Sequence, residues 1–582
     1  MSLSPSGLSD RSVSSYNPSP HYPPVGGSVG RGWAGAVDTL PTTLRTLAVD
    51  GPVVLDWEQV ARAVTELLGL RGRVDVVDLR GAGKPWAAIE RLTRSAALGD
   101  DPNFETLAAG TLADLLDFDL LPAQPPAPGE IRLLLGPGAA AAEHDVLWWA
   151  DLPKRYAEAA VTAGHGRNLL APADVPATTK RLFYIDWPLL DRHRDDHARR
   201  IDLWLDTQDV ADPRCIPGTV LRQTCAGLAR RPHRTRPTFN STSWGGQWAR
   251  EDLGHNPDKA NTALGYELIA PESGVLIGAT ARDSAEVPFQ LLVTLSPEDM
   301  LGADVHRRFG TSFPLRFDYL DTVRGGNLSV HCHPQADYMR GVFGWPYTQH
   351  ETYYLMKGDE GNKVFLGLRE GASVERFHDA AHRAATEAVP FDVTEFVQTF
   401  PATSHQLFLI PAGTPHGSGA GNVVLEVSAT PYLYSLRFYD WLRRDSAGRQ
   451  RQVHVDHAFR NPDPSRSGAA VADRLVPRPR ILVRGEGWHE ELLGRLPEMF
   501  FEVRRLVIEP GAEAEQDTDR RFHILTLVEG RTVVLRTDAG DEHPLNYAET
   551  IAVPAAVGGY RVHCAGSEPV RLVKANVIDE MS

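Results

Sequence analysis

Two histidines two residues apart, His331 and His333 in LSVHCHPQAD, are the first residues whose type and spacing could do chemistry. In a β-strand, residues i and i+2 project from the same face, so both imidazoles can aim at one point while Cys332 faces away. That is a chelating arrangement. The same spacing also suits a surface pair or a hydrogen-bonded pair, and H-x-H by itself does not separate these readings. Downstream, HETYYLM reads as a further strand that offers Glu351, and PAGTPH ends in His416 directly after a tight turn built from Pro and Gly.

The order H-x-H, then Glu, then P-x-G-x-x-H resembles the two signature motifs of the cupin superfamily. The resemblance implies a jelly roll that gathers His331, His333, Glu351 and His416 around one divalent metal ion. Three imidazoles and one carboxylate suit Zn, Mn, Fe or Ni nearly equally, and Zn is the expected ion. The neighbouring His350 and His405 are expected to support the ligands or to be satisfied structural histidines.

The residues around these motifs narrow the resemblance. WGGQW at Trp244 to Trp248, GYELI around Glu267, FPLRFDYLD before LSVHCHP, PYTQHETYYLM, NKVFLGLREG, IPAGTPHGSGAG, and VVLEVSAT followed by LRFYDW occur in the order seen in class I mannose-6-phosphate isomerases. The similarity covers about residues 238 to 582. It implies a metal-dependent aldose–ketose isomerase acting on a sugar or sugar phosphate. Arg437 would then stabilise developing enediolate charge, and Glu426 would be the acidic strand residue; Glu426 and His350 are the candidate proton carriers. Two departures stand out, because Asp318 and Gln349 occupy positions where the resembled enzymes carry lysines. A phosphate prefers fixed cations, so Arg316, Arg324 and Arg340 are the candidates to replace them, with Arg316 and Arg340 assigned to substrate binding. Other cupin activities also fit the ligand set, namely an Fe or Mn oxygenase or a sugar-binding regulator without catalysis. In the last block, FHILTLVEG carries His523 without H-x-H and VPAAVGG places Gly559 where the motif histidine would stand, so that second jelly roll is expected to be metal-free and structural.

The elements that position these residues are read from composition and pattern. The chain has 582 residues and a formal charge of -15, from 75 acidic and 60 basic residues. Without a long basic block, neither a nucleic acid nor an anionic membrane is expected as partner. Four cysteines without C-x-x-C spacing imply neither a disulfide framework nor a zinc ribbon, and the start lacks the features of a signal peptide, so a cytoplasmic location is expected. Fold class is read as multidomain: an N-terminal α/β parallel-sheet domain followed by an all-β double jelly roll. Residues 1–42, rich in Ser, Pro and Gly, are expected to be a disordered tail. Residues 43–235 alternate strands such as TLAVDG, VDVVDL, IRLLLG and DVLWWADLP with helices, one of them started by Asp56 with Gln59 and burying Val60, Val64, Leu67 and Leu68. This region looks like a P-loop nucleoside or uridine kinase domain that has lost its phosphate cradle, since AVDG is followed by PVVLDWEQ, and GAGKPW lacks both the first glycine (Asp78) and the Ser/Thr (Pro85). The stretch RRPHRTRPTFNSTSWGG reads as a linker. Residues 236–460 would form the metal-binding domain and 474–582 the second jelly roll.

Overall fold

The computed structural model describes residues 16–256, 258–445 and 448–579. The amino-terminal part is built on a seven-stranded sheet. Five adjacent strands, in the order Leu203–Asp206, Val146–Asp151, Thr46–Asp50, Glu130–Leu135 and Arg73–Asp78, pair in parallel. Two short antiparallel strands, Arg214–Pro217 and Gly30–Arg31, extend one edge. The helix Trp57–Gly69 starts where the capping pattern places it: Asp56 accepts a hydrogen bond from the Gln59 N–H at 2.9 Å, and Val60, Val64 and Leu68 are buried while Leu67 is half-buried. A second helix in this part is Trp86–Thr93.

Two antiparallel sandwiches follow. In the first, a six-stranded sheet runs in the order Leu407–Ile410, Glu351–Lys357, Val423–Ala429, Leu315–Asp321, Leu264–Leu268 and Thr238–Asn240. Its five-stranded companion has the order Val397–Pro401, Lys363–Leu368, His416–Ser418, Val330–Cys332 and Leu436–Tyr439. The second sandwich pairs a six-stranded sheet (Arg480–Gly485, Trp488–Gly494, Phe501–Ile508, Val570–Val577, His523–Glu529, Thr550–Val553) with a four-stranded one. Leu506, Leu525, Val533, Leu545, Ile551 and Leu572, drawn from both of its sheets, share one buried apolar cluster. Burying each such side chain stabilises the fold by about 1.5–3 kcal/mol.

Two expectations about connecting segments are corrected. Of the tail expected over 1–42, residues 1–15 lie outside the described residues, but 16–42 are folded. Tyr16, Tyr22 and Trp33 are buried there, and His21–Tyr22 adds a parallel strand to Gly274–Ile277. Three aromatic side chains supply the apolar area that the Ser/Pro/Gly composition obscures. The expected linker is equally enclosed: His233 and Arg234 are buried, and His233 exchanges backbone hydrogen bonds with Ala552 of the second sandwich. Among the described residues, no helix is long and apolar enough to cross a membrane.

Candidate metal centre and its cavity

His331 and His333 leave the short strand Val330–Cys332 on one face. His331 lies opposite His416 in the neighbouring strand and opposite Arg437 on its other side. Glu351 opens the strand Glu351–Lys357 of the facing sheet, next to the edge strand, between Ile410 and Ser428. The four side chains, distant in sequence, converge: one ligand atom from each of His331, His333, Glu351 and His416 lies within 4.8 Å of all the others, and all four residues are buried. Cys332 is buried on the opposite face, as the strand period requires.

The imidazoles are held in one orientation by the backbone. The Nδ1 atoms face the carbonyl oxygens of Ser329 (2.9 Å), Tyr434 (3.3 Å) and Thr414 (2.8 Å) for His331, His333 and His416 respectively. A carbonyl only accepts, so Nδ1 of His331 and of His416 carries the proton and Nε2 presents a lone pair to the centre, whereas His333 faces an acceptor at both ring nitrogens, the Tyr434 carbonyl and the Glu351 carboxylate. Buried His416 Nε2 has no hydrogen-bond partner and stands 3.4 Å from Glu351 Oε2, while His333 Nε2 contacts the same carboxylate. Burial holds His331 well below the ordinary imidazole range and lowers His333 as well, so both are neutral and ligand-competent at neutral pH. Burial opposes the charge on Glu351, but His333 and His416 beside it outweigh that effect and keep it ionised. The orphaned nitrogen, three oriented imidazoles and one carboxylate fit a divalent cation.

Three of the four, His331, His333 and Glu351, line a cavity of about 170 Å³ whose walls also include Arg316, Asp318, Glu426, Tyr353 and Arg437. The arginines differ in their freedom. The guanidinium of buried Arg316 donates to Ser428 Oγ at 2.6 Å, contacts Glu426 and lies 3.7 Å from Asp318. Arg437 makes no ion pair with a carboxylate among the described residues; its side chain reaches only the Gln452 carbonyl at 3.4 Å. Burial brings Arg437 down to about 10, so it remains a cation. Glu426 is pushed well up by burial, against the pull of Arg316. Asp318, raised by burial to about 6, keeps Oδ1 without a hydrogen bond.

Three expected participants lie elsewhere. Arg340 is exposed, paired with Asp337 at 2.5 Å, and does not line the cavity. His350 accepts from the Ala412 N–H at 3.2 Å and also lies outside the lining, which removes it as a proton carrier. Arg324 is exposed and paired with Glu251. Sequence reasoning missed Asp318 as a cavity acid, since it marked that position only as a lost lysine; the strand alternation of RFDYLD, which puts Arg316 and Asp318 on one face, was the available signal.

The amino-terminal part packs directly behind this centre. Phe104 is buried against Phe343 (5.3 Å between ring centroids), His454 (4.7 Å) and Tyr434 (6.4 Å), the residue whose carbonyl orients His333. Asp101 contacts His457 Nε2 at 2.8 Å, and Thr106 Oγ1 donates to the Val342 carbonyl at 2.8 Å. At the end of the strand Thr46–Asp50, Asp50 accepts from the N–H groups of Gly138 (3.2 Å) and Ala140 (2.7 Å) and meets His193 Nε2 at 2.8 Å.

Residues 32–230 match a family described as a domain of unknown function (DUF8485). The crystal structure of the mannose 6-phosphate isomerase from Bacillus subtilis aligns with 60% of this chain and 100% of its own, at 19% identity and a TM-score of 0.48. A zinc-bound mannose 6-phosphate isomerase aligns with 60% of this chain and 99% of its own, at 17% identity and a TM-score of 0.45. In sequence, 224 residues, 37% of this chain, are 27% identical to the mannose-6-phosphate isomerase of Streptococcus mutans. Over those 224 residues the chain is homologous to a mannose-6-phosphate isomerase, and it spans 63% of that relative's length.

Proposed function

We propose that the protein is a metal-dependent aldose–ketose isomerase of the mannose-6-phosphate isomerase kind, with a jelly-roll cupin as its catalytic unit. The carrying observation is the buried His331, His333, Glu351 and His416 cluster beside a cavity that three of them line, within a chain partly homologous to such an enzyme. These four residues would hold the ion, most naturally Zn. When bound, it supplies Lewis-acid polarisation of the sugar oxygens. The chain's own residues supply the rest. Isomerisation moves one proton from C2 to C1 of an aldose and one from O2 to O1, with no external oxidant. Asp318, which lines the cavity with an oxygen that makes no hydrogen bond and is raised by burial to about 6, is suited to take and return the carbon-bound proton, with Glu426 as the neighbouring acid. Arg437, uncommitted to any described carboxylate, would face the developing enediolate.

The same distribution of charge bears on the substrate. Arg316 is engaged by Glu426 and Asp318, and Arg451, also in the wall, pairs with Asp440 at 2.8 Å. One free guanidinium suits a single developing charge better than a phosphate of about two charges, which favours a sugar without a phosphate. The amino-terminal half, with Asp50 in place of a phosphate cradle, would be a kinase-like scaffold without phosphotransfer.

The test is nuclear magnetic resonance of mannose and of mannose 6-phosphate in deuterated water with metal-replete protein. Ketose formation with solvent deuterium on the reacting carbons is expected, faster with the free sugar and abolished by His416→Ala. No turnover of either sugar would overturn the proposal.

A further inference from the structure

The two sandwiches share more than architecture. Their six-stranded sheets have the same strand order, so Glu351–Lys357, Val423–Ala429 and Leu315–Asp321 correspond to His523–Glu529, Val570–Val577 and Phe501–Ile508. Register then equates individual positions. In the first sheet, Glu351, Ser428 and Arg316 form one cross-strand row, and Tyr353, Glu426 and Asp318 the next but one. In the second, the matching rows are His523, Asn576 and Glu502, then Leu525, Lys574 and Arg504. Arginine has become glutamate, glutamate lysine, and aspartate arginine: the polar floor is kept with its charges reversed.

That floor is costly for a purely structural sandwich. Glu502, Lys574, His523 and Asn576 are all buried, as is Glu490 on the next strand. Removing each ion from water costs several kcal/mol before pairing offsets it, and apolar residues would stabilise the layer at no such cost. The charges balance internally: Lys574 contacts Glu490 and donates to Gln516 Oε1 at 2.5 Å, and Arg504 Nε donates to Glu502 at 2.7 Å. Buried Asn576 Oδ1 has no partner. Above the floor opens a cavity of about 680 Å³, with Trp488 in its wall, a volume within the range of about 300–1,000 Å³ that accommodates small ligands.

We propose that this cavity is a second binding site, for a small neutral polyhydroxylated molecule such as a free monosaccharide or polyol. The chemistry selects the class. The floor sets two carboxylates against two cations, and around the whole cavity six carboxylates face four cations, so the lining does not attract an anion. The orphaned amide oxygen asks for a hydroxyl donor. Gly559, opposite Asp517, stands where His416 stands opposite His331, so no cation-binding set replaces the hydrogen bonds. The indole of Trp488 offers an apolar wall to a sugar's C–H face. This inference does not depend on the proposed isomerase activity, and it replaces the expectation of a merely structural second jelly roll.

The experiment is hydrogen–deuterium exchange of the full chain with millimolar glucose, mannose or sorbitol, using mannose 6-phosphate as the anionic control. A neutral probe should slow exchange in peptides covering 501–508, 523–529 and 570–577. The effect should persist in His416→Ala, which separates it from the first cavity. Asn576→Ala should weaken the response about tenfold, the loss of one good hydrogen bond, while the exchange pattern without sugar reports whether that variant is folded. Protection by none of the neutral probes, protection by mannose 6-phosphate alone, or an undiminished response in folded Asn576→Ala would each overturn the proposal.

Discussion

Replacing Phe104 by alanine probes the coupling between the amino-terminal part and the metal centre. Phe104 is 2% exposed and packs on Phe343, Tyr434, His454 and His457, all in or beside the first sandwich. Truncating a buried phenylalanine costs about 3–5 kcal/mol through lost transfer energy and the cavity left behind. Part of that loss should fall on the Tyr434 segment, whose carbonyl faces Nδ1 of His333 at 3.3 Å. Partners behind a metal ligand typically govern about 10- to 100-fold in metal affinity, or about 1.4–2.7 kcal/mol. Zinc affinity measured by competition with a chelating dye should therefore fall by that factor in Phe104→Ala. Leu535→Ala is the matched control: it opens a comparable hole in the core of the second sandwich, with a cost of about 2–5 kcal/mol, but touches nothing near the cluster. If both variants lose stability and neither loses zinc affinity, the packing behind Tyr434 does not support the centre and the coupling is refuted.

Zinc at about 100 times its dissociation constant should stabilise the wild-type protein against denaturation by about 2.7 kcal/mol, and His416→Ala should abolish that increment in the same titration. Arg437→Ala should reduce kcat for sugar isomerisation by about 10²–10³, whereas Arg437→Lys should restore part of it, because the position needs a cation; equal activity of all three proteins would remove Arg437 from the reaction. Arg316→Met should cost about 3–5 kcal/mol in a denaturant titration, because it strands Glu426 and Asp318 as buried acids. Metal-free protein should lose stability on acidification below pH about 6.5, because His233, His331, His454 and His523 are held below that value by burial and only the unfolded chain takes up those protons. At one pH unit below that value each contributes about 1.4 kcal/mol of loss, and denaturation midpoints flat from pH 8 to 5 would contradict it.

How far these features can be read without coordinates depends on how local their causes are. The His331/His333 pair is legible because strand geometry alone puts i and i+2 on one face, and the Asp56 cap because its partner is three residues away. Glu351 and His416 join them only through motif order, since nothing local brings strands from three parts of the chain together. The fate of Arg316 was hidden for the same reason: Glu426 and Ser428, which engage it, are more than a hundred residues away. Arg340 looked equivalent to Arg316 in sequence, yet one follows a helical turn to solvent and the other alternates into the cavity. The folded 16–42 segment failed on composition, because an average over Ser, Pro and Gly conceals a few aromatic residues, with Trp33 in the core of the amino-terminal sheet and Tyr16 and Tyr22 in the core that the first sandwich shares.

Those aromatics end at a junction that makes the units interdependent. Tyr16 donates its hydroxyl proton to Glu267 of the first sandwich, and the same carboxylate accepts from the Thr550 N–H of the second at 2.8 Å. Arg234, from the segment that reads as a linker, pairs with Glu549 at 2.7 Å and lies 3.8 Å from Glu267. All four side chains are buried. One guanidinium cannot neutralise two carboxylates, and burial resolves the excess by raising Glu267 to about 7, with the Tyr16 hydroxyl and the Thr550 N–H sharing its oxygens. Each partner comes from a different stretch of chain, so removing any one strands a polar or charged group that no longer has water around it. Tail, linker and both sandwiches are thus bound by an unmet electrostatic need as much as by apolar contact. This accounts for an amino-terminal half fixed behind the metal centre although it supplies none of the ligands.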